Sequence, residues 1–206
     1  MPFITFEGVE GCGKSTQLKL LDDRLRAAGR DVRATREPGG TPLGERLRAL
    51  LLDGARAPLD PIAECLLFEA DRRQHLVEVI RPALAAGAWI LCDRFSDSTE
   101  AYQSAGRGLD SAFIEAVDGR VRDGISPDLT LLYDLDAAEG LARTRRRDAR
   151  TDRFQSEELA FHERVRRHFL EIARREPDRV VVVPAHGDAA AVFAETSRIV
   201  AERFAS

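Results

Sequence analysis

Five short apolar runs punctuate the chain: Phe3–Phe6, Val32–Thr35, Trp89–Cys92, Leu129–Leu132 and Val180–Val183. Between them apolar residues return every three or four positions, the spacing of a helix with one buried face. Leu18, Leu21 and Leu25 share such a face over Ser15–Ala28, and Gly29 stops that helix. Similar stretches cover Leu43–Leu52, Ile62–Leu84, Leu109–Asp123, Ala137–Arg146, Glu157–Arg175 and Ala189–Phe204, with a bend expected near Pro82. Apolar strands alternating with helices predict an α/β fold, a five-stranded parallel sheet with helices on both faces. Its connections are expected to be right-handed. Ligands of such sheets bind beyond the carboxyl ends of the strands, so the residues just after each run matter most. No internal repeat or low-complexity linker divides the chain, which reads as a single domain over residues 1–206.

The first run is followed by Gly8-Val9-Glu10-Gly11-Cys12-Gly13-Lys14-Ser15-Thr16. Gly8, Gly13, Lys14 and Ser15 fit the spacing G-x-x-x-x-G-K-[ST]. Three glycines let the backbone curl so that its N–H groups converge, and the following helix adds its positive end. The result is an anion site of phosphate size. Lys14 can reach the outer phosphates of a nucleotide, and the Ser15 hydroxyl can bind Mg²⁺. Lys14 and Lys19 are the only lysines beside 29 arginines, so Lys is kept at this motif position in an Arg-preferring chain.

The later runs end on further candidates. Arg36-Glu37-Pro38-Gly39-Gly40-Thr41-Pro42 is a rigid turn, either shaping a pocket or simply joining strand to helix. The helix after it carries Arg46 and Arg48. Phe68 and Arg72, four apart, share a helix face. A phenyl ring beside a guanidinium suits a flat, hydrogen-bonding ring; the pair also reads as a core Phe beside a surface Arg. The third run closes on Asp93-Arg94, where a carboxylate at a strand tip can help hold Mg²⁺, or the two residues can form a plain salt bridge. Ser98, Thr99, Tyr102 and Gln103 follow. Six arginines fall within residues 143–153, namely Arg143, Arg145, Arg146, Arg147, Arg150 and Arg153. Next to a phosphate loop such a cluster reads as a lid, over about residues 143–156, that folds guanidinium groups onto polyphosphate. His162 and His168 are six apart, whereas the two-histidine zinc helix needs four, and zinc is discarded.

Composition narrows the class. A length of 206 residues, 44% hydrophobic and 32% charged, suits a soluble globular protein. A net charge of −4 argues against a general nucleic-acid binder. Cys12, Cys65 and Cys92 are far apart and odd in number, which fits a reducing, cytoplasmic compartment. No apolar run approaches membrane-spanning length, so no membrane partner is expected. The chain contains no Asn, which removes the N-K-x-D guanine motif of regulatory GTPases. A nucleotide-driven interaction module would need partner surfaces that the sequence does not display. A small-molecule phosphotransferase, with a second site facing the phosphate loop, accounts for the remaining features.

Taken together, these stretches make the chain resemble the bacterial thymidylate kinases, P-loop nucleoside monophosphate kinases. The matching segments are residues 6–16, Thr35–Gly40, Leu67–Arg72, Cys92–Phe95 with Ser98-Thr99 and Ala101–Gln103, Gly106–Gly108, and Pro127–Thr130. The resemblance implies γ-phosphoryl transfer from ATP to dTMP with Mg²⁺, a homodimer, and a P-loop NTPase-type sheet with an Arg-rich lid. It implies that Phe68 stacks on thymine, that Arg72 hydrogen-bonds a thymine carbonyl and that Gln103 reads the ring edge. It gives the dTMP phosphate to Arg94 and Arg48, and the sugar and base pocket to Glu37, Pro38, Ser98, Thr99 and Tyr102, with Tyr102 the candidate for packing at the 2′ position. Asp93 would help place Mg²⁺, with Ser15, and the attacking phosphate. Residues 8–16 with Arg143 and Arg147 would bind ATP. Glu10 stands where some relatives carry a loop Arg, so the catalytic Arg is expected from the lid: Arg147 first, with Arg143, Arg150 and Arg153 as helpers. Phe95 departs from the Tyr or His common at its position. The alternative within the same class is a nucleoside monophosphate kinase with another base preference, and Phe68, Arg72 and Gln103 separate the two.

Overall fold

The structure, a computed structural model, describes residues 1–53, 58–147, 152–155 and 157–205, with Arg147 in backbone only. Five parallel strands form one sheet: β1 (Phe3–Glu7), β2 (Val32–Arg36), β3 (Trp89–Asp93), β4 (Leu129–Asp134) and β5 (Val180–Pro184), in the order β2-β3-β1-β4-β5. All five expected runs are strands, each one or two residues longer at its carboxyl end. β1 is buried throughout, as a strand covered on both faces must be. Alternation along a strand sends neighbours to opposite sides. Phe3, Ile90 and Cys92 accordingly pack with Leu76, Ile80 and Phe95. Ile4, Phe6 and Leu91 join the larger cluster with Leu21, Phe169, Val192 and Ile199.

The helices are α1 (Lys14–Ala27), α2 (Pro42–Leu52), α3 (Pro61–His75), α4 (Arg81–Ala85), α5 (Ser96–Thr99), α6 (Ser111–Arg122), α7 (Ala137–Arg147), α8 (Leu159–Arg175) and α9 (Ala189–Arg203). Two that border the site start on capping chemistry. Thr41 accepts from the Gly44 N–H with Pro42 next in line, and Asp60 accepts from the Ile62 and Ala63 N–H groups with Pro61 next.

Two π-helical turns were not foreseen. One, Leu76–Ile80, joins α3 to α4 just before Pro82. Proline has no N–H and its ring crowds the preceding turn, so widening that turn accommodates Pro82 within a continuing helical stretch. The other, Glu100–Gly106, follows α5 and carries Tyr102 and Gln103. No helix among the described residues is long and apolar enough to cross a membrane.

Candidate active site

The strand order sets the site. β2, β3 and β1 are neighbours, and Asp93 is in register with Arg36 on one side and Phe6 on the other. The carboxyl ends of these three strands therefore open onto one place, a cavity of about 280 Å³ lined by both the phosphate loop and the turns after β2 and β3.

Gly8, Gly11 and Gly13 have φ of 135°, 72° and 96°. This is the left-handed region that glycine enters without steric cost. Gly11 is needed for a second reason. A Cβ there would lie 2.1 Å from the carbonyl oxygen of Gly140 in α7, and one on Gly140 would lie 2.2 Å from that of Glu10. Loop and helix backbones thus touch. Lys14 Nζ donates to the carbonyls of Gly8 and Val9, both at 2.9 Å, and the side chain faces the cavity. Ser15 Oγ donates to Asp93 Oδ2 at 2.6 Å. Gly8, Val9 and Cys12 shape the loop behind the cavity, while Glu10, Gly11, Gly13 and Thr16 line it.

Arg94 has φ of 72°, a backbone state that costs a non-glycine residue free energy. It is held there by hydrogen bonds from its own N–H to the Phe6 carbonyl at 3.0 Å and from the Phe95 N–H to Glu7 Oε1 at 2.7 Å. Its guanidinium donates to the Gly8 carbonyl, Ser98 Oγ, Glu10 Oε1 and Tyr102 OH, and lies 5.0 Å over the Tyr102 ring. Burial alone would lower the Arg94 pKa, but Tyr102 and the carboxylates of Glu10, Glu7 and Asp93 raise it, so the cation persists. Burial likewise opposes ionisation of Glu10, yet His162, Arg94 and Lys14 hold its carboxyl well below the usual range. Arg48 lines the same wall and donates to the Pro38 carbonyl at 3.0 Å, across the cis Glu37–Pro38 peptide from Glu37.

The far end of the cavity holds Phe68, Arg72, Thr99, Tyr102 and Gln103. Arg72 is buried, not a surface Arg. Its Nε donates to Glu37 Oε2 at 3.0 Å, its Nη1 to Glu69 and Asp118, and its Nη2 to Thr99 Oγ1 at 2.8 Å. Four of the five N–H groups of the guanidinium are thus assigned among the described residues, which leaves one on Nη2 for a ligand. Glu37 is gripped on its other oxygen by His75 Nδ1 at 2.9 Å, and Asp71 Oδ1 accepts the Gly39 N–H at 3.0 Å. Asp71, Arg72 and His75 of one helix turn therefore fix the whole Glu37–Gly39 loop.

A family model described as thymidylate kinase matches residues 6–195. The chain is 51% identical over 208 residues to the thymidylate kinase of Trichlorobacter lovleyi, covering 98% of each chain. It is 53% identical over 201 residues to that of Caulobacter vibrioides, covering 98% of this chain and 96% of the other. Its fold matches a crystal structure of thymidylate kinase from Ehrlichia chaffeensis with a TM-score of 0.78 and 37% identity, over 97% and 98% of the two chains. The chain belongs to the thymidylate kinase family. That family phosphorylates dTMP to dTDP with ATP as the nucleotide substrate.

Within this member of the family, not every expected residue reaches the cavity. Arg143 donates to Glu139 and the Ala185 carbonyl, away from it. Arg153 is turned to Glu64 and to the Leu51 carbonyl, and does not line the cavity. Arg147 ends α7, with its side chain outside the described residues, and Arg150 lies outside them altogether. Phe95 does border the cavity, but it is fully buried, edge-to-face against Phe3 with centroids 5.1 Å apart and with the Arg72 guanidinium 5.2 Å over its ring, so its face is spent on packing. Residues the sequence did not single out also line the cavity: Thr144, Asp152, Gln155 and above all Phe154, whose ring lies 6.0 Å from Phe68 and 5.7 Å from Tyr102. An aromatic in an Arg-rich stretch was the available signal.

Proposed function

We propose that the cavity is where this kinase joins its two substrates, with the ATP phosphates in the loop of residues 8–16 and dTMP between Arg94 and Phe68. The observation that carries this reading is the 2.6 Å contact of Ser15 with Asp93, which puts the phosphate loop and the acceptor side of the cavity in contact. Both atoms are hard oxygen donors, the set that Mg²⁺ prefers. Ser15 and Asp93 would hold the ion, which supplies positive charge to phosphoryl oxygens when bound. Lys14 and Arg94, which both donate to the Gly8 carbonyl and so lie side by side, offset the repulsion between two anionic substrates, and Arg48 adds to the acceptor side. The dTMP phosphate is itself the nucleophile, so no strong general base is required. Glu37, Pro38, Ser98, Thr99 and Tyr102 flank the sugar and base. Arg147 supplies the lid cation. Arg153, committed to Glu64, acts at the base end in this reading and not on the transferred phosphoryl.

Phe68, with Phe154 facing it, offers a flat base an aromatic wall. The Arg72 N–H and the Gln103 amide supply hydrogen bonds of the kind a pyrimidine requires. A homodimer is supported by Ile62 and Leu66, one helical turn apart on α3 and nearly half exposed. A cytoplasmic setting is supported by three buried, unpaired cysteines. The direct test is ADP release with Mg-ATP and a panel of dTMP, dUMP, dCMP, dGMP, AMP or no acceptor. Turnover with dTMP, weakly with dUMP, is expected. Equal turnover without acceptor would make the protein an ATPase and withdraw the base-pocket roles.

A further inference from the structure

Glu64 is a fully buried carboxylate in the first turn of α3, outside the cavity lining, with more partners than a structural ion pair requires. Its Oε1 accepts from Gln103 Nε2 at 2.8 Å and from Arg107 Nε at 3.1 Å. Its Oε2 accepts from Arg107 Nη2 at 3.4 Å and from Arg153 Nη2. Every one of these contacts is long-range in sequence, and they converge from the second π turn, the Gly106–Gly108 turn and the Arg-rich stretch.

The consequence falls on Gln103. An amide has a donor end and an acceptor end, and only its surroundings decide which way round it sits. A carboxylate can only accept, so Glu64 captures the NH₂ end. The Oε1 end then points elsewhere. It receives no hydrogen bond from the described residues, and Gln103 lines the cavity. We propose that Glu64 is a positioning residue for base selection, fixing the Gln103 amide so that its carbonyl oxygen faces the nucleotide base. The proposal rests on the reading that Phe68, Arg72 and Gln103 face that base.

The chemistry follows from two groups. Arg72 presents one N–H donor and Gln103 one carbonyl acceptor. A pyrimidine-2,4-dione such as thymine offers the complement, an O4 acceptor beside an N3–H donor. Cytosine offers the reverse, an amino donor beside an N3 lone pair, so both of its groups meet like groups. A flipped Gln103 amide would instead give N3 of cytosine a donor. Polar sites that a wrong base leaves unpaired discriminate far better than an apolar fit does.

Glu64→Gln turns this into a test. The new amide keeps the size of the carboxylate but has only one acceptor end. Two guanidinium groups, of Arg107 and Arg153, donate on the Oε2 side and only Arg107, through Nε, on the Oε1 side, so the acceptor end turns to the two guanidiniums, Arg107 gives up its Nε contact and the NH₂ is left towards Gln103. Gln103 then turns its own carbonyl to that NH₂ and shows its NH₂ to the base. The dTMP over dCMP ratio of kcat/KM should fall by roughly tenfold or more. Turnover of dCMP should also rise in absolute terms, which mere loosening of the fold does not produce. Glu64→Asp, which retains an acceptor-only group, should keep most of the discrimination. In a Gln103→Ala background, Glu64→Gln should leave the ratio where it is. If Glu64→Gln does not fold by thermal melting, Glu64→Ala reads the same ratio, with a fall again expected. An unchanged ratio in a folded Glu64→Gln or Glu64→Ala protein overturns the proposal. If Gln103→Ala leaves the KM for dTMP unchanged, the base-pocket reading itself fails, whatever Glu64 does.

Discussion

Ser15 Oγ and Asp93 Oδ2 are 2.6 Å apart, joining the first turn of α1 to the tip of β3. The two oxygens come from opposite sides of the site, one from the donor loop and one from the acceptor wall. Removing the carboxylate should remove a group that acts where charge is greatest. Asp93→Ala is expected to lower kcat by roughly 10²–10³. Ser15→Ala should be milder and partly recovered by raising Mg²⁺. Steady-state turnover measured against Mg²⁺ concentration checks both; equal losses independent of Mg²⁺ would contradict the assignment.

The lid makes a separate prediction. The phosphate loop carries Glu10 and no Arg, so in this reading the cation that joins Lys14 and Arg94 at the transferred phosphoryl is an Arg of the Arg-rich stretch. Arg147→Ala is expected to lower kcat by ~10³ or more with dTMP affinity nearly intact. Arg153→Ala should do the opposite, raising the KM for dTMP more than it lowers kcat, because its guanidinium is held by Glu64. Parallel kcat and KM values for the two variants separate these roles.

Packing of loop on helix gives a stability prediction. A methyl group on Gly11 would sit 2.1 Å from the Gly140 carbonyl oxygen at a φ of 72°. Neither backbone can give way without moving the phosphate loop or α7. Gly11→Ala should destabilise the protein by about 1–3 kcal/mol and lower ATP affinity. Thermal melting and nucleotide titration read the two effects; a stable variant with normal ATP binding would show that the contact yields.

Two buried carboxyls set a pH dependence. Burial pushes Glu7 up to about 7, with Asp97 adding to the rise and Arg94 opposing it. Burial, then Glu37, push Asp71 up to about 7. Both pKa values are raised above the unfolded value, so the folded state binds the extra protons between the two. Stability from these groups is fully present below about pH 4 and declines as pH rises through about 7. Asp71→Asn should flatten part of the fall in melting temperature between pH 5 and 7. A melting temperature that rises across that window and is unaltered by the variant would contradict the assignment.

The sheet and the phosphate loop were legible because their signals are local: apolar runs, glycine spacing, one Lys. The charges that organise the base end were not. Arg72 looks like a surface residue in a helical pattern, yet it is buried because Glu37, Glu69 and Asp118 surround it. Those partners are up to 46 positions away, and no local periodicity reports them. The partners of Glu64 and His75 were hidden for the same reason. Phe154 was hidden by the arginines around it, and Arg153 was read by its charge and not by the carboxylate it meets. The π turn over Glu100–Gly106 was missed because Tyr102 and Gln103, which face the cavity, break helical patterning.

The most direct measurement is a crystal structure of the protein with ADP, Mg²⁺ and dTMP. The account predicts thymine stacked on the Phe68 ring, its O4 within hydrogen-bond reach of Arg72 Nη2 and its N3 within reach of Gln103 Oε1, with the phosphate at Arg94 and Arg48. A base bound away from Phe68 and Arg72, or Gln103 meeting it through its NH₂, would contradict it.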